Sequence, residues 1–459
     1  MFPFLTQLLP QAKQSFVAGR KELKKLSGYR HTEYGLILSS TLLGLAVGSS
    51  VAIFHMAVAF CEGIFDKFFL AANTYPVLRY LFFPFIVAAG GLIVGLLNAT
   101  LFKGVEDEGL DSVVNAVSRD GVLIHRRSSF KAILTAAFSI GSGGGAGREA
   151  PTILLGASVG SNLGRILRLR SEQLRILGAA GAAAAISAIF NAPLGGIVFG
   201  IETIIGEVSV NAFVPLVIAS VMATGTSRLF LGDSPILVAP PIQAVQLQDY
   251  FLLAVVGILS GGIALFYLKS YNWCFEKTEQ LLKRFPDFLR PALGGLAQGV
   301  LVALLPTMLE TTYDPINYAI AGTGTSLVAG LSVGALVVAG LTVLIKPFST
   351  AITLGSGGAG GTLAPALKIG ALFGFAFGFL LQLIVPSTSP GLYALVGTAA
   401  VLAGCYRMPL TGGILVFEIC RNYTLILPLM FASIFATFVV QRAKVHTFNP
   451  LDRPFTKTV

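Results

Sequence analysis

Charge is what this sequence has least of. Only 12% of its 459 residues are Asp, Glu, Lys or Arg, against about 25% in ordinary soluble domains. A soluble surface cannot be assembled from so few. Tryptophan occurs once, and histidine and cysteine four times each. Cys61, Cys274, Cys405 and Cys420 are scattered without metal-ligand spacing, so they read as reduced and structural. With no cluster of His, Cys or acidic residues there is no nucleophile, metal or paired-carboxylate chemistry to assign. The chain reads as no enzyme, and as having neither a metal nor an organic cofactor.

Apolar residues fill the space that charge leaves. They make up 54% of the chain, with 34 Phe and 52 Gly. Runs such as 34–60 and 75–102 exceed the roughly 20 residues that cross a bilayer as a helix. The sequence predicts an all-α polytopic membrane protein. Its net charge of +10 does not call for nucleic acid. The cations gather at Arg20-Lys21, Lys24-Lys25, His125-Arg126-Arg127, Arg165 to Arg170 and Arg442 to Lys444, as the positive-inside rule expects of cytoplasmic loops. Both termini are then expected in the cytoplasm, with an even number of crossings of an inner (plasma) membrane. Lys13 to Arg30 is basic, amphipathic and followed by a full-length span, which does not fit a secretory leader.

One stretch organises the rest: Gly141-Ser142-Gly143-Gly144-Gly145-Ala146-Gly147-Arg148-Glu149-Ala150-Pro151. Glycine at this density cannot pack a core and is costly inside a helix. Its use is close backbone approach. Pro151 suits the first turn of a helix, so a helix N-terminus opens at Glu149, an end that attracts anions. The device returns at Gly355-Ser356-Gly357-Gly358-Ala359-Gly360-Gly361-Thr362-Leu363-Ala364-Pro365, each residue 214 positions further on, and Gly156 and Gly160 find Gly370 and Gly374 at the same separation. Ala192-Pro193-Leu194 through Glu202 matches Met408-Pro409-Leu410 through Glu418, 216 positions on. A duplicated unit follows.

The expected organisation is a cytoplasmic amphipathic helix and linker at 1–33 (or a plain basic tail), a first repeat at 34–231, a connector at 232–248, a second repeat at 249–440, and a cytoplasmic tail or helix at 441–459 with no soluble regulatory domain after it. Pro235, Pro240 and Pro241 mark the connector. The helix after the first glycine loop ends in basic residues 165–170, whereas its counterpart at 383–390 carries no Lys or Arg, so the repeats read as inverted. Inverted repeats with broken helices mark transporters and related pores. Such loops are tolerated at membrane depth only when buried in protein or lining a cavity. Two helix N-termini aimed at one point, each carrying roughly half a positive charge, favour an anion. Arg148 and Glu149 are either an internal ion pair or a split pair, with Arg148 structural and Glu149 projecting into the pathway as gate and proton carrier.

These motifs resemble the CLC family of chloride channels and proton-coupled chloride transporters. Gly147-Arg148-Glu149-Ala150-Pro151 is similar to the family signature that carries the gating glutamate. Gly361-Thr362-Leu363-Ala364-Pro365 is similar to its second anion-binding signature, with amides at Thr362 and Leu363 toward the ion. Asn191-Ala192-Pro193-Leu194-Gly195-Gly196 fits a third element. The resemblance covers about residues 34–440. It implies many tilted and broken helices in two inverted repeats, and a homodimer with one pore per subunit. The anion-binding residues it implies are Gly147, Arg148, Glu149, Ala150, Gly361, Thr362, Leu363, Glu108, Gly109 and Phe448.

Three positions depart from the family. Glu108, in Asp107-Glu108-Gly109-Leu110-Asp111, stands where a Ser is usual; it either caps its own helix from the vestibule or takes the place of a proton or an anion. Thr203 occupies the position of the inner proton glutamate, which leaves Glu202, Glu108 or water as a proton route, or no coupling. Phe448 lies closest to the pore tyrosine and lacks its O–H. Glu202 and Glu418 otherwise read as local ion pairs or dimer-side contacts. The function expected is chloride/proton antiport gated by Glu149; the alternative is a passive chloride channel, and less so a fluoride/proton antiporter.

Overall fold

The computed structural model describes residues 33–73, 78–105, 109–118, 124–207, 210–239, 249–310, 313–321, 332–386 and 388–452. Residues 1–32, Asp107 and Glu108, the connector from 240 and the tail from 453 lie outside the described residues. The expectations placed on them are therefore not addressed by it.

Among the described residues the architecture is all helical, with no strand. The first eight α-helices are α1 (Glu33–Asn73), α2 (Leu78–Ala99), α3 (Leu110–Ser118), α4 (Arg126–Gly141), α5 (Glu149–Ile166), α6 (Ser171–Phe190), α7 (Pro193–Phe199) and α8 (Val210–Leu231). The next eight are α9 (Asp249–Leu282), α10 (Arg290–Leu304), α11 (Asp314–Ala321), α12 (Ser332–Gly355), α13 (Leu363–Gln382), α14 (Pro390–Tyr406), α15 (Pro409–Cys420) and α16 (Ile426–Arg442). Long, short and broken helices recur in the same order in the two sets. Among the described residues, eight helices are long and apolar enough to cross a membrane. Helix α1, at 41 residues, is about 60 Å long at 1.5 Å per residue, so it must tilt in or project beyond a hydrocarbon layer of about 30 Å. This is a multi-pass integral membrane protein.

The repeat is visible in how chain breaks are made. Helix α6 ends at Asn191 in the left-handed conformation (φ 54°), and Pro193 starts α7. Helix α14 ends at Arg407 (φ 49°), and Pro409 starts α15. A left-handed residue stops each helix and a proline at N1 starts the next. The copies differ at one place: α7 continues as a π-turn over Gly200–Ile205, which contains Glu202 and Thr203. Its partner α15 stays regular through Glu418.

Small residues set the packing. A Cβ on Gly156 of α5 would lie 2.1 Å from the Gly181 carbonyl oxygen, and one on Gly181 of α6 would lie 2.1 Å from that of Gly156. Gly370 of α13 and Gly397 of α14 repeat the arrangement, at 2.4 and 2.3 Å. Close backbone approach through small residues is how helices associate where lipid removes the hydrophobic drive. This corrects one expectation. After Arg170 the sequence reads as short, broken helices at 179–190, 193–205 and 214–230, yet Ser171–Phe190 is one 20-residue helix. Its glycines face α5 and leave the helix uninterrupted.

Candidate functional site

Helices α4 and α12 each run into a glycine segment, and the two segments meet. Gly147 N–H donates to Gly361 O at 2.9 Å and Gly361 N–H donates to Gly147 O at 2.7 Å, a two-bond antiparallel bridge. Side chains brace it in the same reciprocal way. Gly145 N–H donates to Thr353 Oγ1 at 3.0 Å, and Ala359 N–H donates to Ser139 Oγ at 3.2 Å. In these four bonds each donor and acceptor has its counterpart 214 positions away in the other copy. Two antiparallel segments joined symmetrically are what inverted repeats produce at their common axis.

Helices α5 and α13 begin at this bridge, so their N-termini converge on it. Glu149, the first residue of α5, is 1% exposed. Its Oε1 accepts the Ala364 N–H of α13 at 2.7 Å, while Oε2 is buried with no hydrogen-bond partner. The carboxylate thus lies where the two helix N-termini, with their unpaired N–H groups, converge. A Cβ on Gly147 would stand 2.3 Å from Glu149 Oε2, 2.5 Å from Oε1 and 2.7 Å from the Ala364 methyl. Only glycine leaves room for the carboxylate. Gly361 faces Ala150 in the same manner, its would-be Cβ 3.0 Å from the Ala150 nitrogen.

Arg148 turns the other way. Its guanidinium reaches α1, with Nη2 3.3 Å from Glu62 Oε1 and Nη1 3.2 Å from His55 Nδ1. The Arg148–Glu149 pair is therefore split: the cation ties the loop to α1 and the anion enters the junction. Arg148, expected among the anion-binding residues, directs its side chain away from the junction to Glu62 and His55.

The other singled-out residues fall into two groups. Thr362 and Leu363 stand at the start of α13, and Gly109 lines a cavity of about 280 Å³ with Lys131, Ala150, Pro151 and Gly360. That cavity shares Asn98, Lys131 and Phe275 with a second of about 670 Å³. The second shares Lys103, Gly104 and Val105 with a third of about 890 Å³, where His125, Arg126, Arg127 and Arg165 gather. A chain of cavities thus leads from the basic face to Ala150.

Phe448 packs into an aromatic cluster, its ring 5.2 Å from Tyr267, 5.0 Å from Tyr271 and 5.6 Å from Tyr406. Sequence reasoning missed Tyr406 and Tyr267. Tyr406 Oη lies 2.6 Å from Thr362 Oγ1, and Tyr267 Oη donates to Thr362 O at 3.2 Å. Tyr406 stands two residues before Met408 of the second matched block, the one sequence signal that placed it near the repeat axis.

Glu202 and Glu418 do something the sequence did not reveal. Glu202 accepts Leu410 N–H (3.2 Å), Thr411 N–H (2.8 Å) and the Thr411 hydroxyl (2.7 Å) at the start of α15. Glu418 accepts Leu194 N–H (3.1 Å) and Gly195 N–H (2.7 Å) at the start of α7. Each repeat supplies the carboxylate that caps the other's helix N-terminus. The local ion pairs expected as one alternative for both carboxylates are not what these bonds form; each is a helix cap. Thr203 is fully buried, and its hydroxyl meets Met408 Sδ at 3.6 Å.

A polytopic helical protein with two broken, antiparallel repeats and helix N-termini converging on a buried carboxylate defines an anion-transport architecture. The family described as "Voltage gated chloride channel" matches residues 90–441, and the chain belongs to that family. A putative chloride channel protein ClcB-like of Ralstonia nicotianae is 32% identical over 360 residues, 76% of this chain and 80% of that protein. The H(+)/Cl(-) exchange transporter ClcA of Vibrio cholerae serotype O1 is 34% identical over 317 residues, 66% of this chain but only 64% of that transporter's length. Among solved structures, that of a slow cyanobacterial Cl-/H+ antiporter superposes with a TM-score of 0.76 at 25% identity, covering 91% of this chain and 96% of the other.

Proposed function

We propose that this protein exchanges chloride for protons across a plasma-type membrane, with Glu149 as both gate and proton carrier. One observation carries the reading: the Glu149 carboxylate sits buried at the meeting point of two helix N-termini, holding the Ala364 N–H at 2.7 Å. Anionic, it occupies the anion's position. Protonated, it loses the attraction of both helix ends, swings aside and leaves that position to chloride. The relatives named as exchangers support the coupling. Cavities on the basic face, taken as cytoplasmic, form the inner approach, and their cations concentrate anions there.

The side-chain donor at the site is assigned to Tyr406. Two hydroxyls, Tyr406 Oη and Thr362 Oγ1, share one hydrogen bond, so one O–H proton of the pair remains to be offered to an anion, as Phe448 cannot offer one. Tyr406→Phe is expected to weaken chloride binding about 5- to 10-fold, the worth of one hydrogen bond at about 1–1.5 kcal/mol. Unchanged affinity in titration calorimetry would remove Tyr406 from the site. A second copy of the chain is the expected partner, each subunit keeping its own pathway.

Coupling is tested in liposomes. An outward chloride gradient should drive measurable proton movement against its own gradient. Chloride flux with no proton pumping would favour the second reading, a passive channel, for which Thr203 speaks: a buried hydroxyl against a thioether carries no proton charge.

A further inference from the structure

Three buried ionisable side chains have no part in the pathway described so far. Lys346 of α12 and Lys368 of α13 are 0% exposed, and Glu310, in the turn before α11, is 8% exposed. Both ammonium groups meet one carboxylate oxygen, with Lys346 Nζ 2.5 Å and Lys368 Nζ 3.0 Å from Glu310 Oε2. Each also donates to a backbone carbonyl, Lys346 to Met308 at 2.7 Å and Lys368 to Leu309. The geometry satisfies the hydrogen bonds but not the charge: two cations face one anion. An uncompensated charge held away from water is costly, so a further anion should lie within reach.

Glu149 is that anion. Lys368 follows Ala364 by four residues on α13, hence on the same helix face and about 6 Å along the axis from the N–H that holds Glu149. Among the described residues, the remaining ionisable groups around the junction do not neutralise the cluster. Arg148 is engaged with Glu62 and His55 on α1, while Tyr313, Tyr267 and Tyr406 bring neutral hydroxyls. Lys131 belongs to the opposite, basic approach, where it donates to Val105 O at 2.7 Å.

We propose that the Lys346–Glu310–Lys368 cluster is the counter-charge of the gate, one unit of buried positive charge that either the Glu149 carboxylate or an anion in its place must neutralise. It deepens the reading of Glu149 as the plug of an anion pathway and rests on it. When a proton neutralises Glu149, the positive charge persists and draws chloride into the vacated position. When chloride leaves, it draws the carboxylate back. The buried region is neutral in both states, and protonation and anion occupancy are linked by charge balance.

The test measures chloride binding by calorimetry in the Glu149→Gln background, where no carboxylate competes, with unfolding temperature followed to confirm folding. At an effective dielectric constant of about 20, a unit charge about 10 Å away changes binding about tenfold. Lys368→Met brings the cluster to zero and should weaken chloride about tenfold. Glu310→Gln raises it and should tighten chloride by a similar factor, a gain that damaged packing would not produce. Glu310→Gln with Lys368→Met restores one positive charge, on Lys346, and should return affinity to within about threefold of the parent. Unchanged affinity in Lys368→Met, or weaker binding in Glu310→Gln, would overturn the proposal. Should Lys368→Met fail to fold, the sign of the Glu310→Gln change decides alone. Absence of chloride binding in the parental Glu149→Gln protein would instead defeat the pathway reading itself.

Discussion

Glu149→Gln should let chloride pass while abolishing proton movement. The amide keeps the size of the carboxyl group but carries neither the charge that competes with the anion nor a site for the transported proton. In the parent, Glu149 Oε1 takes the Ala364 N–H at 2.7 Å, a charge-assisted bond of the stronger kind. A neutral amide holds that place less tightly, by about 1.5–3 kcal/mol, so chloride should displace it and bind at least about tenfold better. Flux assays should therefore record chloride transport without proton uptake at any chloride gradient. Proton pumping that survives the substitution would take Glu149 out of its role.

Gly147→Ala should have the second-largest effect, with the opposite result for the anion. The added methyl would fall 2.3 and 2.5 Å from the two carboxylate oxygens of Glu149 and 2.7 Å from the Ala364 Cβ. The carboxylate can swing away from it; the Ala364 methyl, fixed on α13, cannot. The methyl then occupies the space that carboxylate and chloride take in turn. Overpacking of about 1–3 kcal/mol corresponds to roughly 5- to 150-fold weaker chloride binding, so flux should fall by at least about fivefold. The protein should still fold, because the closest contacts are with a mobile side-chain end. Parental flux from Gly147→Ala would mean that the anion does not pass beside this glycine.

Much of this site was legible in the sequence because its parts are local and duplicated. The glycine loops, the proline-started helices and the 214-residue spacing are read directly, and their pairing at Gly147 and Gly361 is what a repeat axis requires. Helix positions followed from apolar runs, except that the helix expected over 179–190 begins already at Ser171, in a polar first turn, and packs its glycines against α5. Residues whose role comes from distant partners were not legible. Glu202 and Glu418 each find their N–H donors more than 200 positions away, so no local pattern gives their cross-capping. Lys346 and Lys368 are single cations in apolar runs, and only the fold brings Glu310 to both. Tyr406 was hidden for the same reason, since its hydroxyl matters only where α14 ends beside the start of α13.

The most direct test of the central claim is anomalous diffraction from crystals of the Glu149→Gln protein grown in bromide. The account predicts a bromide peak beside Gly147, within about 3.5 Å of the Leu363 and Ala364 amide nitrogens, where the carboxylate lies in the parent. A pocket without bromide there, with the ion bound elsewhere along the chain, would contradict it.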